Sequence, residues 1–174
     1  MVQGVGHVGE NLVRFVTEQG AKVYVADLNQ EQLNATAAKY GAEIVSLDAV
    51  YDMDVDIYSP CALGATLNTE NINKLRCAVV AGAANNQLAD ENIHGKMLTE
   101  KGILYAPDFL INAGGLINVY SELKGYDRKT AMEQSEKIYD TTLEIFKKAK
   151  AEDITTAAAA KKIAEERIAI ARSV

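Results

Sequence analysis

The segment Gly-Val-Gly-His-Val-Gly at residues 4–9 decides the fold of this 174-residue chain. It has the spacing G-x-G-x-x-G and lies between a short apolar stretch, typical of a buried strand, and a segment with apolar residues at helical spacing. The first glycine of such a turn allows its tight bend, the second a close approach of phosphate, and the third helix–strand packing. The helix that follows directs unpaired N–H groups at an anion. The segment therefore predicts a phosphate-binding turn.

A carboxylate follows at the spacing that such a turn requires. Asp27 ends a strand-like segment at 22–27 and lies 18 residues after Gly9, close to the ~20 residues typical of dinucleotide-binding domains. A carboxylate there accepts hydrogen bonds from ribose hydroxyls and repels a 2′-phosphate. Residues 28–30 include no Arg or Lys, so the pattern favours NAD over NADP. The alternative is that Asp27 only begins a turn with Asn29.

Strand-like and helix-like segments alternate through most of the chain. Helix signals separate the strand-like stretches, as with Asn29 before one helix and Gly41 after it. This order predicts an α/β fold of the Rossmann type, with a doubly wound, mostly parallel sheet and helices on both faces. The predicted strands are 1–5, 22–27, 43–47, 55–59, 77–81 and 102–106, and predicted helices include 69–76, 89–101 and 110–124.

Residues 126–174 contain no strand-like segment. They predict two long C-terminal helices, the first capped by Asp127 and the second beginning after Asp153, with alanines that suit close packing. We therefore predict a dinucleotide-binding Rossmann domain at 1–125. Residues 126–174 would pack on it, either within the same domain or as a hinge to a further one.

Composition limits the classes of partner. Hydrophobic residues make up 48% of the chain and charged residues 24%, and the net charge is −6. This is ordinary globular composition, without the concentrated Lys and Arg that bind nucleic acid. The sequence shows no membrane-length apolar run and no signal-peptide pattern. Its two cysteines are not part of a Cys/His cluster with metal-ligand spacing. We expect a cytoplasmic protein without a metal site and without a nucleic-acid or membrane partner.

The two histidines are not expected to be catalytic. His7 lies inside the glycine turn, which meets phosphates rather than a reactive ring. His94 precedes Gly95 in a helical segment, where we expect a surface or capping position.

Three later segments and the glycine turn carry a resemblance to a known family. They read Pro-Cys-Ala-Leu-Gly-Ala at 60–65, Ala-Gly-Ala-Ala-Asn-Asn-Gln-Leu at 81–88 and Ala-Pro-Asp-Phe-Leu-Ile-Asn-Ala-Gly-Gly-Leu-Ile-Asn-Val at 106–119. With residues 3–6 they resemble the C-terminal, NAD-binding domain of the Glu/Leu/Phe/Val amino-acid dehydrogenases, and most nearly the leucine dehydrogenases among them. The resemblance runs nearly the whole chain.

The resemblance implies an enzyme that converts branched-chain L-amino acids to 2-oxo acids by oxidative deamination, with reduction of NAD. In this family the acid–base residues belong to a preceding substrate-binding domain. No segment of residues 1–174 matches the glycine-and-lysine motif of that domain, so we assign no catalytic residue. We expect a fragment that binds NAD but does not turn over leucine alone, and a parent enzyme that is a homo-oligomer.

The resemblance also gives roles to single residues. Residues 61–63 would line the cofactor cleft, Asn86 would contact the nicotinamide end, and Leu116 with Val119 would shape a pocket for an aliphatic side chain. Local alternatives are a nucleophilic thiol at 61, a plain turn at 85–86 and helix packing at 116 and 119. The candidate cofactor-binding residues are Gly4, Gly6, His7, Val8, Gly9, Asp27, Leu28, Cys61, Ala62, Leu63, Asn85, Asn86 and Asn112; the candidate substrate-pocket residues are Leu116 and Val119.

Two other classes of protein remain open. A stand-alone NAD-sensing regulatory domain would need the glycine turn and Asp27, but it would leave the segments at 81–88 and 106–119 without a role. A methyltransferase-type α/β domain would not need the turn and Asp27 in combination with those segments.

Overall fold

The computed structural model describes residues 1–123, 125 and 127–173. Six strands form one sheet in which each pairing between neighbours is parallel. The strands are β1 Val2–Gln3, β2 Tyr24–Ala26, β3 Glu43–Ile44, β4 Ile57–Pro60, β5 Val79–Val80 and β6 Leu104–Tyr105, in the spatial order β3-β2-β1-β4-β5-β6. The helices are α1 His7–Glu18, α2 Gln30–Tyr40, α3 Thr69–Lys74, α4 Glu91–Glu100, α5 Asp108–Ile111, α6 Gly114–Glu122, α7 Arg128–Glu152 and α8 Thr156–Arg172.

Helices cover both faces of this sheet. Successive residues of a strand point to opposite sides, so neighbouring strand residues pack against different helices. On β2, Val25 packs in a cluster with Val13 of α1 and Leu33 of α2. The next residue, Ala26, belongs to the opposite cluster, which includes Ile72 of α3 and Leu98 of α4. Full burial of a side chain such as Val25 stabilises the fold by about 1.5–3 kcal/mol. The predicted Rossmann-type fold is confirmed, and the sheet is parallel at every pairing rather than at most of them.

The residues predicted to cap helices α2 and α7 do so in the structure. Asn29 accepts a 3.1 Å hydrogen bond from the Gln32 N–H, and Gly41 ends α2 with φ +69°. Asp127 accepts hydrogen bonds from the second and third N–H groups of α7. The single helix predicted at 110–124 is wrong. It is two helices, α5 and α6, because the chain turns near Ala113 and two glycines, which favour helix poorly, begin the second.

The chain forms two compact units, Met1–Asp108 and Phe109–Val174. The first contains the sheet. In the second, α7 and α8 pack through a cluster that includes Ile145, Ala149 and Ala160. Helix α6 lies in the second unit, where it packs on α7, although the sequence grouped it with the dinucleotide-binding domain.

Two kinds of feature are missing from the described part of the chain. None of its helices combines the length and the hydropathy of a membrane-spanning segment. No three of its His, Cys, Asp or Glu side chains stand together as the ligands of a metal ion would.

Candidate functional site

The predicted site residues of the first unit follow the carboxyl ends of four strands. Ligands of open parallel sheets bind beyond these ends, where the strand order changes direction. Here that point lies between β1 and β4, since the chain runs from β1 to β2 and β3 on one side and then crosses to β4 on the other. After β1 come Gly4, Gly6, His7, Val8 and Gly9, after β2 Asp27 and Leu28, after β4 Cys61, Ala62 and Leu63, and after β5 Asn85 and Asn86.

The glycine turn is closely packed at two of its glycines and open at the other. Gly4 has φ +95°, and a Cβ there would lie 2.5 Å from the backbone nitrogen of Ala62. A Cβ at Gly9 would lie 2.0 Å from the carbonyl oxygen of Gly4. At Gly6, where φ is −62°, a Cβ would meet nothing within 4 Å among the described atoms. The fold therefore explains the first and third glycines, whereas the second borders space that the protein leaves open.

Helix α1 begins at this open space with its N–H groups uncapped. The N-cap residue is Gly6, and no side-chain hydrogen bond caps the helix. The N-terminus of a 12-residue helix carries a partial positive charge. His7 and Val8, at the first two helical positions, are both exposed. Free donors, the helix dipole and open space together fit an anion such as a pyrophosphate.

Asp27 ties the end of β2 to the glycine turn. One carboxylate oxygen accepts a 2.6 Å hydrogen bond from the Val5 N–H, and the other accepts a 2.8 Å bond from the Asn29 N–H. The turn with Asn29 that the sequence left as an alternative is therefore present. A carboxylate offers about four acceptor positions, so these two bonds leave capacity for ribose hydroxyls. The structural role and the binding role are compatible.

The loop after β4, residues 61–66, brings small and apolar groups to the same edge. The Cys61 N–H donates a 2.7 Å hydrogen bond to the carbonyl of Gln3, which fixes the start of the loop beside β1. Burial raises the pKa of the Cys61 thiol, the opposite of what a nucleophile requires. Leu63 is 98% exposed and Leu28, after β2, is 89% exposed. Apolar side chains this exposed at a sheet's carboxyl edge are suited to cover a flat ligand.

The loop after β5, residues 81–88, carries Asn85 and Asn86 on its exposed side. Asn86 has φ +53°, a left-handed conformation that asparagine tolerates better than most residues. Its carbonyl accepts a 2.6 Å hydrogen bond from the N–H of Ala65. A Cβ at Gly64 would lie 2.8 Å from the carbonyl oxygen of Asn85. The loops after β4 and β5 are therefore in direct backbone contact.

The remaining candidates lie in the second unit. Asn112 follows α5, and Leu116 and Val119 lie one turn apart on α6. Leu116 is 72% exposed and Val119 is 59% exposed, so neither belongs to the hydrophobic core of the described chain. Their role in a substrate pocket stays a prediction.

The geometry of the first unit is that of a dinucleotide-binding domain, and comparison with known proteins specifies the family. The model of the glutamate/leucine/phenylalanine/valine dehydrogenase family matches residues 24–174. The chain belongs to this family.

Relatives in the family are similar along nearly the whole chain. The leucine dehydrogenase of Thermoactinomyces intermedius is 53% identical over 171 residues, which are 98% of this chain and 46% of that protein. An L-tryptophan dehydrogenase of Nostoc punctiforme is 51% identical over 167 residues, 96% of this chain and 47% of that protein. The chain thus spans about half the length of these relatives.

A solved structure of the family has the same fold. The crystal structure of L-tryptophan dehydrogenase from Nostoc punctiforme matches with a TM-score of 0.97 and 47% identity, over 99% of this chain and 53% of that one. The family model, the relatives and the solved structure all confirm the resemblance seen in the sequence.

One buried polar group beside the glycine turn of this dehydrogenase-family chain is not predicted by its sequence pattern. Gln3, just before the glycine turn, is buried and accepts a hydrogen bond from the hydroxyl of Tyr58 on β4. It also donates a 3.2 Å bond to Tyr51. Burial raises the pKa of Tyr58, which keeps its hydroxyl protonated as a donor. A glutamine at a core strand position was the available signal, because a buried amide needs partners.

Of the two positions expected for His94, surface or cap, the surface position is wrong and the capping position is confirmed. Its side chain is buried, and the nitrogen Nδ1 accepts a 2.8 Å hydrogen bond from the N–H of Asp90, the N-cap of α4. The other ring nitrogen, Nε2, lies 3.1 Å from the hydroxyl of Thr69 on α3. His94 therefore joins two helices of the first unit.

Proposed function

We propose that this chain is the NAD-binding part of an amino-acid dehydrogenase of the leucine dehydrogenase type. The observation that carries the proposal is the open space at Gly6, in front of the uncapped N-terminus of α1. The Asp27 carboxylate is fixed beside it through the Val5 N–H. Membership of the family supports the same reading.

The chain's own groups would hold NAD at three places. The N–H groups at the start of α1 bind the pyrophosphate, and Asp27 accepts hydrogen bonds from the adenosine ribose. Residues 28–30 offer no cation to a 2′-phosphate, so NADP is disfavoured. The amides of Asn85 and Asn86 orient the nicotinamide end. When bound, NAD supplies the acceptor for a hydride from the substrate Cα.

The reaction converts an L-amino acid, NAD and water to a 2-oxo acid, ammonium, NADH and a proton. This chain's part is to bind and orient the cofactor and, through apolar groups such as Ala62 and Leu63, to exclude water from it. Asn112 contacts the cofactor or substrate in this proposal. Leu116 and Val119 accept a branched aliphatic side chain, since they offer no partner to a charged one.

The proton transfers are assigned to groups outside residues 1–174, because the relatives are about twice as long as this chain. We therefore propose that the chain binds NAD but does not deaminate leucine by itself. The whole enzyme is proposed to be a cytoplasmic homo-oligomer that acts on a small-molecule substrate.

Calorimetric titration of the purified chain with NAD, NADP and S-adenosylmethionine tests the proposal. We expect NAD to bind at one site and S-adenosylmethionine not to bind. NADP should bind at least about tenfold more weakly than NAD, because its 2′-phosphate would face the Asp27 carboxylate at a cost of about 1.4 kcal/mol or more. Absence of NAD binding would overturn the cofactor assignment. An assay of NADH formation with leucine tests the second part, which is wrong if the chain alone turns over.

A further inference from the structure

Gln87 is completely buried beneath the loop at 81–88, whose outer side carries Asn85 and Asn86. Its side-chain nitrogen Nε2 donates two hydrogen bonds within the loop, at 2.7 Å to the carbonyl of Gly82 and 2.9 Å to the carbonyl of Ala84. Because both partners are acceptors, the amide has only one possible orientation. The side chain therefore closes the loop on itself from the inside.

The backbone of Gln87 anchors the loop to its surroundings. Its N–H donates a 3.0 Å hydrogen bond to the Asp108 carboxylate, and its carbonyl accepts a 2.9 Å bond from the N–H of Leu67. The N–H of Ala84 donates to the carbonyl of Pro60 on β4. Gln87 thus connects the exposed asparagines to groups that follow both neighbouring strands, β4 and β6.

The side-chain oxygen of Gln87 is buried without a hydrogen-bond partner among the described residues. A buried unpaired acceptor is unfavourable, and an apolar side chain of the same size, such as methionine, would avoid it. It would also lose both bonds to the loop carbonyls. Gln87 thus combines a buried oxygen without a hydrogen-bond partner with two hydrogen bonds that hold the shape of the loop.

We infer that Gln87 is a positioning residue for the nicotinamide half of the dinucleotide. The inference rests on the proposed NAD site. Asp27 follows β2, on one side of β1, whereas the Gln87 loop follows β5, on the other side beyond β4. A dinucleotide spans such a sheet with its two halves on opposite sides of the switch point. Gln87 therefore acts on the half away from Asp27, and it does so through Asn85 and Asn86.

The test compares NAD with ADP-ribose, which lacks only the nicotinamide ring, in titrations of the whole chain. In Gln87→Met we expect the Kd for NAD to rise about tenfold, as for loss of two hydrogen bonds. The Kd for ADP-ribose should change less than about twofold from that of wild type. Gln19→Met, the same change at an exposed position of the first unit, should alter neither.

Each other outcome separates the inference from the proposed function. If the wild-type chain fails to bind NAD, the proposed function is overturned, and this inference with it. If wild type binds NAD but Gln87→Met binds it equally well, or loses ADP-ribose to the same extent, the positioning role alone is overturned.

A second variant covers a failure of Gln87→Met to fold. In Gln87→Glu a protonated carboxyl can donate one of the two bonds, and burial favours the protonated form. We expect its NAD affinity to recover as the pH falls from 8 to 5, relative to wild type. An unchanged ratio of the two affinities across this range would contradict the inference.

Discussion

The carboxylate of Asp27 lies 2.6 Å from the backbone nitrogen of Val5, so a side chain at the end of β2 fixes the turn that follows β1. The other carboxylate oxygen holds the Asn29 N–H at the start of α2. One residue thus connects the glycine turn, the second strand and the second helix. Its charge is placed by the fold before any ligand arrives, which lowers the cost of ordering it on binding.

Asp27→Asn should affect stability and cofactor choice together. An amide has one accepting oxygen, so one of the two backbone bonds is lost. A hydrogen bond to a charged group contributes about 1.5–3 kcal/mol, which corresponds to a fall in Tm of about 3–12 °C for a chain of this size. The preference for NAD over NADP should also narrow, because the repulsive charge is gone. Thermal melting and paired titrations measure both, with the exposed Asp48→Asn as control. An unchanged Tm would show that the lost bond contributes nothing to stability.

Gly6→Ala and Gly4→Ala should separate binding from folding. A methyl group at Gly6 meets open space at an ordinary φ of −62°, so the Tm of Gly6→Ala should stay within about 2 °C of wild type. Its affinity for NAD should fall at least about tenfold, because the methyl group occupies the pyrophosphate position. At Gly4 the methyl meets the backbone of Ala62 at φ +95°, and stability should fall by about 1–3 kcal/mol. Strong NAD binding by Gly6→Ala would place the phosphates elsewhere.

Glu10 should give the chain a measurable acid dependence. Its hydrogen bond to Lys39, with help from Tyr40 and Gln32, lowers the pKa of Glu10 below the ordinary 4.5. A lowered folded-state pKa stabilises the protein above the unfolded value and loses that effect as the pH falls through the folded one. Glu10→Gln should therefore melt slightly lower than wild type at pH 7, and the difference should vanish well below pH 4.5. A constant difference across the range would point to packing instead.

Cys61 should behave as a packing residue. Because burial raises the pKa of its thiol, little thiolate forms at neutral pH, and alkylation by iodoacetamide at pH 8 should be slower in the folded chain than in the same chain unfolded by urea. Mass spectrometry of the peptide containing Cys61 measures both rates. Cys61→Ala should retain NAD binding within about twofold, as expected for a position without a covalent role. Faster alkylation of the folded chain would restore the nucleophile interpretation.

The parts of the fold that were predictable from sequence are those set by local patterns. Glycine spacing, the cap at Asn29 and the alternation of apolar stretches each depend on neighbours within a few residues, and the structure agrees with them. The helix predicted at 110–124 failed because its apolar spacing continues across a turn near Ala113.

The roles of the candidate site residues stay predictions from the sequence, and the contacts that hold these residues could not be predicted from it. The spacing of Asp27 from Gly9 indicated a ribose ligand, yet its bond to Val5 joins two strand ends that only the folded sheet brings together. The burial of His94 was not predictable for the same reason, because its partner Thr69 lies on another helix. No role for Gln87 is predictable from the sequence, because nothing local shows that its side-chain amide is completely buried.

The strand order also determines how the chain reaches this structure. Val2 of the central strand β1 pairs with Val25 on one side and Ser59 on the other, so the middle of the sheet is completed only after β4 has been synthesised. Contacts between distant parts of a chain form more slowly than local helices, because closing the intervening loop has an entropic cost. We therefore expect helices α1 and α2 to form before β1 pairs with β4. The phosphate turn at the end of β1, whose Gly4 packs against the backbone of Ala62, should then take its final shape only after that pairing.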